Sequence, residues 1–391
     1  MPRSVYTMLM ACLLILASTG CTQESTEASE KEHLPSNPAV DQLVEEVRVK
    51  HNMPALAAVV VRSDSVVVVS VSGIRRNGSD ARVTLRDRFH LGSNTKAMTA
   101  TLLAVLVEDG ALDWDTTPLD VFPALADSIH PAYQGITLEQ LLSHRAGLPA
   151  FTQGEEWNAM PRVSGSHADQ RFAFTSHVLQ REPARTPASE FHYSNAGYTV
   201  AAAMAEQVAG AMWEALMRDR LFDQMDIAGE FGYPVAVDSA QPSGHFERGD
   251  TLRPSRLRNS YEPAVMIGPA GDVNMNLPDY GRFLQLHLRG LRGSEPGLLS
   301  ASAIQHMHES RGGMSPDSNL PGYGLGWVVH DYLSARSSSH AGSIGRFKAR
   351  ATIQPSRDLA VAVVTNAGGN AADDATIELR DALLKRYRPT G

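Results

Sequence analysis

The stretch Ser93-Asn94-Thr95-Lys96, followed by Ala97-Met98-Thr99-Ala100-Thr101-Leu102-Leu103-Ala104-Val105-Leu106-Val107, decides how this chain is read. Residues 97–107 carry no charge, and the run stops at Glu108-Asp109-Gly110. A helix apolar on every side belongs in the interior of a protein. Ser93 falls at its start, where free backbone N–H groups and the positive end of the helix dipole favour developing negative charge. Lys96 lies three residues on, hence on the same face and within reach of the hydroxyl. An amine in apolar surroundings loses proton affinity and becomes a base. A buried lysine is costly unless it has work to do, so the apolar continuation sets this Ser-x-x-Lys apart from a chance helix-capping serine.

Outside this stretch, 391 residues leave room for one large or two medium domains. A net charge of −8, with no basic cluster, argues against a nucleic-acid partner. No repeat of solenoid or propeller period occurs. Arg3 precedes an uncharged stretch over residues 4–23 with an apolar centre at 8–17, and Ala17-Ser18-Thr19-Gly20 leads into Cys21. This is the layout of a bacterial export signal over residues 1–20. The two cysteines are Cys12, inside that signal, and Cys21, so a mature chain starting at Cys21 holds no internal disulfide. Residues 21–38, acidic and ending in Pro35-Ser36-Asn37-Pro38, read as a solvated tether to a domain over 39–388.

Within that domain, residues 41–51 have helical spacing. Residues 55–61 and 65–71 are β-rich runs joined by Arg62-Ser63-Asp64, a hairpin. Helical patterns and long loops fill 110–260. Strand-like runs return at 324–329, 348–353 and 359–365, and an amphipathic helix covers 372–384. Strands at both ends with helices between them predict an α/β protein: an antiparallel sheet assembled from the two termini, flanked by helices, with an all-α lobe inserted. The cleft between two such lobes is the default ligand site, and the Ser-Lys helix starts there.

Three further stretches complete a pattern: Thr137-Leu138-Glu139-Gln140-Leu141-Leu142-Ser143-His144-Arg145-Ala146-Gly147-Leu148, Phe191-His192-Tyr193-Ser194-Asn195-Ala196-Gly197-Tyr198, and Ser339-His340-Ala341-Gly342-Ser343-Ile344-Gly345. With Ser93-x-x-Lys96 and Gly322-Tyr323-Gly324-Leu325-Gly326-Trp327, the order and spacing resemble the serine β-lactamase and penicillin-binding-protein superfamily. The resemblance is strongest to its class C β-lactamase, family VIII esterase and D-aminopeptidase branch, and covers residues 39–388. It implies a β-lactamase-like two-lobed fold and an acyl-enzyme on Ser93, with no metal or organic cofactor. Lys96 would share in proton transfer, and Tyr193 would be a partner base or proton shuttle, its phenolate favoured by the adjacent ammonium. Asn195 would hold Lys96 and a substrate amide, and the N–H groups of Ser93 and Ser343 would form the oxyanion hole.

His340-Ala341-Gly342 stands where many relatives have Lys-Thr-Gly or Lys-Ser-Gly. Gly342 would leave room for substrate along a strand edge. His340 would replace a fixed cation for a substrate carboxylate with an imidazole charged only at lower pH, a structural histidine at a strand end being the alternative. Gly20-Cys21 resembles the lipobox of bacterial lipoproteins, with Ser18 where leucine is usual. Cys21 would then carry a lipid anchor and hold the protein to a membrane, plain signal cleavage being the alternative.

These features imply an exported serine hydrolase, periplasmic or secreted, acting on a small ester, amide or peptidoglycan-related substrate. A true β-lactamase or D-alanyl-D-alanine peptidase is the rival in the same fold, and a catalytically silent cell-envelope binding protein is the rival from another class. His306-Met307-His308 reads as surface histidines on a helix, not a metal site. The loops over 151–184 and 240–262 are where substrate choice would be set.

Overall fold

The computed structural model describes residues 35–249, 251–255, 262–314 and 321–389. The leader and the Cys21 anchor therefore lie outside the described residues. Helix α1 (Pro38–Lys50) is capped by the Asn37 side chain and leads into strands β1 (Ala55–Val61) and β2 (Val66–Gly73). A turn over Gly92–Asn94 precedes α2 (Thr95–Glu108). The inserted segment contains α3 (His167–Leu179) and α4 (Asn195–Ala209), and the chain returns through α5 (Leu277–Leu291). Five strands follow: β3 (Gly322–Tyr323), β4 (Val328–Tyr332), β5 (Ala335–Ser343), β6 (Lys348–Gln354) and β7 (Leu359–Thr365). Helix α6 (Asn370–Arg386) closes the described chain.

These seven strands form one antiparallel sheet in the order β2-β1-β7-β6-β5-β4-β3, so the two ends of the domain meet at the β1–β7 pair, with Leu56 opposite Thr365. Short strands at Phe89–His90, Gly229–Phe231 and Val273–Met275 make a second sheet, and His245–Arg248 pairs with Thr251–Pro254, so the inserted segment is not all-α as the sequence suggested. Every residue of β1 and β7 is buried. That explains why both read as unbroken apolar runs instead of alternating ones: helices cover both faces of the sheet. Val44 and Val47 of α1 and Leu379 and Leu383 of α6 pack on Leu56, Val60, Val361 and Val363 on one face. The other face, through Val59, Val61, Ala362 and Val364, shares a core with Leu102 and Leu103 of α2 and Phe283 and Leu284 of α5. Residues 95–106 of α2 are all buried, as an all-round apolar helix requires. In the inserted lobe the guanidinium of Arg171 is wholly buried between Glu206, at 2.5 Å, and Glu214, at 2.7 Å.

Two further details differ from the sequence reading. The strand expected at 324–329 is interrupted, because Leu325 N–H donates to Met307 O at 2.8 Å and Gly324 N–H closes a turn on Trp327 O. The small-residue segment around 339–343, expected to lie between strands, is itself the end of β5, paired with β6 from Ser338 to Ser343. Among the described residues no helix is long and apolar enough to cross a membrane.

Candidate active site

Ser93 occupies the middle of a 3-10 turn and caps no helix with its side chain. The turn is fastened on several sides. Asn94 Nδ2 donates to Leu91 O and Ala349 O, and Thr95 Oγ1 donates to Gly92 O at 2.8 Å while accepting from Val273 N. Strand β5 packs backbone to backbone against it. A Cβ on Gly342 would sit 1.9 Å from Leu91 O and 2.8 Å from Ser93 N, and one on Gly92 (φ +52°) would sit 2.5 Å from Ser343 N. Glycine at 342 is thus required by the approach of β5 to the turn, and not by a substrate path as the sequence suggested. The same approach brings the backbone of Gly342 and Ser343 against that of Gly92 and Ser93.

Lys96, in the first turn of α2, is fully buried. Its Nζ lies 3.3 Å from Ser93 Oγ, 2.8 Å from Asn195 Oδ1 and 2.7 Å from Ala270 O. No carboxylate is among these partners, and burial holds its pKa well below the usual lysine range. The two carbonyl oxygens can each take one N–H of a neutral amine, leaving its lone pair to the serine proton. Asn195 opens α4 behind the Ser194 cap, and its Nδ2 donates to Phe151 O at 2.9 Å, which fixes the amide orientation.

Tyr193 hydrogen-bonds Ser93, and Lys96 Nζ stands 4.7 Å from its ring centre. Packing around the phenol raises its pKa above the ordinary value, so the expectation of a resting phenolate is corrected: loss of solvent outweighs any stabilisation from the neighbouring amine. Tyr193 is held by His144, whose ring is 4.3 Å away and whose Nδ1 accepts from Ser194 N–H at 3.1 Å. His144 adopts a left-handed backbone (φ +61°) and burial drives its pKa far down.

The cleft in front of Ser93 encloses about 470 Å³, and Asn195, Ser343, Trp157, Asp272 and Arg346 are among its walls. Gln153, Trp157 and Asn158 bring the 151–184 loop to it, as the sequence suggested. His340 is placed elsewhere. It is 5% exposed and does not line the cleft, its Nδ1 is bonded to Ala341 O at 2.9 Å, and its Nε2 meets Tyr323 Oη at 3.0 Å. Burial, with Lys96 adding repulsion, lowers its pKa to about 3. Contact between His340 and a substrate carboxylate, and its gain of charge near neutral pH, are thus corrected by the structure: the residues of β5 alternate, and His340 points into the protein. His308 also departs from its surface reading, being buried with Nε2 3.0 Å from His287 Nδ1 and its ring stacked on Trp327.

Residues that sequence reasoning missed include Ala270, which acts through its carbonyl, His144, Asp272 and Arg346. No motif marks Ala270, Asp272 or Arg346, since each is brought to the site by a loop or by a backbone atom; His144 lies in the quoted 137–148 stretch, and its support of Tyr193 appears only in the fold.

A buried amine on a helix-start serine, a Tyr-x-Asn beside it and a strand amide opposite form a site of the serine β-lactamase type. The Beta-lactamase family profile matches residues 40–385, and the chain belongs to that family of serine hydrolases. Penicillin-binding protein 4 of Amycolatopsis lactamdurans is 28% identical over 330 residues, 82% of this chain and 83% of its own length. Unguisins hydrolase ungD' of Aspergillus campestris is 27% identical over 74% of this chain, which spans 54% of that relative. A class C beta lactamase from Rhodobacter sphaeroides superposes with a TM-score of 0.71 at 20% identity, over 89% of this chain and all of that one, and shows the shared fold.

Proposed function

We propose that the protein hydrolyses a small ester or amide through an acyl-enzyme on Ser93. The observation that carries this reading is the fully buried Lys96 amine, 3.3 Å from Ser93 Oγ and without a carboxylate partner. A silent binding protein gains nothing from such a desolvated amine, whose burial costs stability. As Ser93 Oγ bonds to the substrate carbonyl carbon, its proton passes to Lys96 Nζ. The carbonyl oxygen takes the electron pair and is held by the Ser93 and Ser343 N–H groups. The intermediate then expels the alcohol or amine, which takes the proton from Lys96 by way of the Tyr193 hydroxyl. Water repeats the sequence on the acyl-enzyme and returns the acid. Tyr193 serves as a proton shuttle here because its raised pKa keeps the phenol protonated at rest.

The names of the relatives, a penicillin-binding protein and an unguisins hydrolase, support a hydrolase that acts on a small molecule. The leader-like residues 1–20 and Gly20-Cys21 support export and attachment to the outer side of a membrane through a lipid on Cys21. The test is covalent labelling with a fluorophosphonate and, separately, a fluorescent penicillin. Wild-type protein should take up the fluorophosphonate at Ser93 and Ser93→Ala should not. Equal labelling of the variant would sink the reading, and strong labelling by penicillin would favour the β-lactamase or D-alanyl peptidase rival.

A further inference from the structure

Two charged side chains in the cleft have no part in that chemistry. Asp272 follows Gly271, where an added Cβ would lie 3.9 Å from Ser93 N, so this carboxylate stands beside the nucleophile turn. It meets His90 Nε2 at 3.3 Å. His90 is 2% exposed and its Nδ1 accepts the Gly92 N–H at 3.1 Å, which places its own proton on Nε2, directed at Asp272. The Asp272 side chain remains 14% exposed. A carboxylate has about four acceptor positions, and the His90 imidazole and the Gly232 N–H leave some of them open.

Arg346 follows Gly345 on the β5–β6 connection and is half-buried. Its side chain makes no hydrogen bond or ion pair with any described residue, and its Nε is buried without a partner. Its guanidinium carbon lies 5.7 Å from the centre of the Phe246 ring. Stacking of this kind leaves the in-plane fork of N–H donors available to a planar anion. Arg346 and Asp272 do not neutralise each other, since no ion pair joins them. A carboxylate held by an imidazole and a backbone amide but by no Lys or Arg, and a guanidinium with no anion on it among the described residues, share the walls of one cleft, where a ligand bearing both opposite charges would complete them.

We propose that the cleft selects a zwitterion of dipeptide size, with its ammonium group on Asp272 and its carboxylate on Arg346, which sets the bond between its two halves before Ser93. A cleft of about 470 Å³ is within the ordinary range for small-molecule sites. The proposal rests on the hydrolase reading for the bond that is cut, but not for binding.

Binding is therefore measured by calorimetry on the full-length Ser93→Ala protein. The probes are alanyl-alanine in its D,D and L,L forms, each compared with its N-acetyl, C-amide and doubly blocked derivatives. For one enantiomer the unblocked dipeptide should bind at least about tenfold more tightly than either singly blocked form, a loss of about 1.4 kcal/mol for each charge removed. The acetylation penalty should vanish in Ser93→Ala/Asp272→Asn, and the amidation penalty in Ser93→Ala/Arg346→Gln, with Arg346→Lys restoring part of it. Equal affinity for all four derivatives, penalties unchanged in the variants, or no binding of either unblocked dipeptide at millimolar concentration would overturn the proposal. Should a variant fail to fold, the comparison of derivatives on Ser93→Ala alone still decides. A dipeptide bound in this pattern by a wild-type protein that neither cuts it nor takes up fluorophosphonate would instead defeat the hydrolase reading and leave the zwitterion site standing.

Discussion

His340 offers the sharpest quantitative test, because the sequence and the structure assign it opposite behaviour. On the sequence the favoured reading is a weak cation that recovers a substrate carboxylate as pH falls, with a structural strand-end histidine as the alternative. In the structure it is an interior imidazole held neutral, its pKa lowered from 6.5 to about 3 by burial first and by Lys96 second. A folded-state pKa below the unfolded one means that the unfolded chain binds the proton first as pH falls. The stability associated with neutral His340 is therefore complete above pH 6.5 and is lost progressively as pH drops toward 3. At about 1.4 kcal/mol per unit, the whole displacement is worth about 5 kcal/mol, of which about 3 kcal/mol is lost between pH 7.5 and 4.5. His144, His287 and His308 are lowered in the same way, so the wild type should lose stability steeply in acid for several reasons. The difference between proteins isolates one of them.

Denaturant unfolding of wild type and His340→Asn at half-unit steps from pH 4.5 to 7.5 should give curves that converge toward low pH by about 3 kcal/mol. A constant offset from the lost Tyr323 bond is read separately. In the same pH range, the ratio of kcat/KM for a chromogenic cephalosporin to that for a neutral aryl ester should show no step that depends on His340. His340→Lys should destabilise the protein, since it would bury an ammonium beside Lys96, and should not improve turnover of carboxylate substrates. Parallel stability curves for the two proteins, or a His340 imidazole resonance titrating near 6.5 in the native state, would refute the reasoning.

Tyr193→Phe should lower kcat by about 10²-fold or more while fluorophosphonate labelling of Ser93 persists at a reduced rate, and stopped-flow acylation kinetics check it. Gly342→Ala should cost roughly 1–3 kcal/mol in unfolding measurements and depress turnover further, because the new methyl displaces β5 from the Ser93 turn; a fully active and fully stable variant would contradict the packing described. Cys21→Ala should move the protein from the membrane fraction to the soluble one, and mass spectrometry of the wild-type N-terminus should find a lipid on Cys21. An unmodified N-terminus downstream of residue 21 would disprove the anchor.

The parts of the molecule that were legible in the sequence are those in which one segment dictates its own environment. The apolar run after Lys96 can only be an interior helix, and the unbroken Val and Ala runs at 55–61 and 359–365 can only be central strands covered on both faces, so the joined-termini sheet followed from them. Ser93 and Lys96 were legible for the same reason, three residues apart on one helical surface. The function of β5 was not, because strand polarity at residues 339–343 depends on which partner it pairs with, and a shift of one residue reverses which side chains face the cleft. With Ser338 opposite Ile353, His340 and Gly342 fall on the inner side and Ala341 and Ser343 on the outer. That single register converts His340 from a substrate-reading residue into a buried support for Tyr323. It also leaves the cleft without a cation from this strand, and the charge is supplied instead by Arg346, three residues past its end. Neither Arg346 nor Asp272 belongs to a periodic segment, so no pattern in the chain could mark them. Their meaning comes from lining one cleft without pairing with each other, a property that exists only once the loops after β5 and before α5 have been folded against the Ser93 turn.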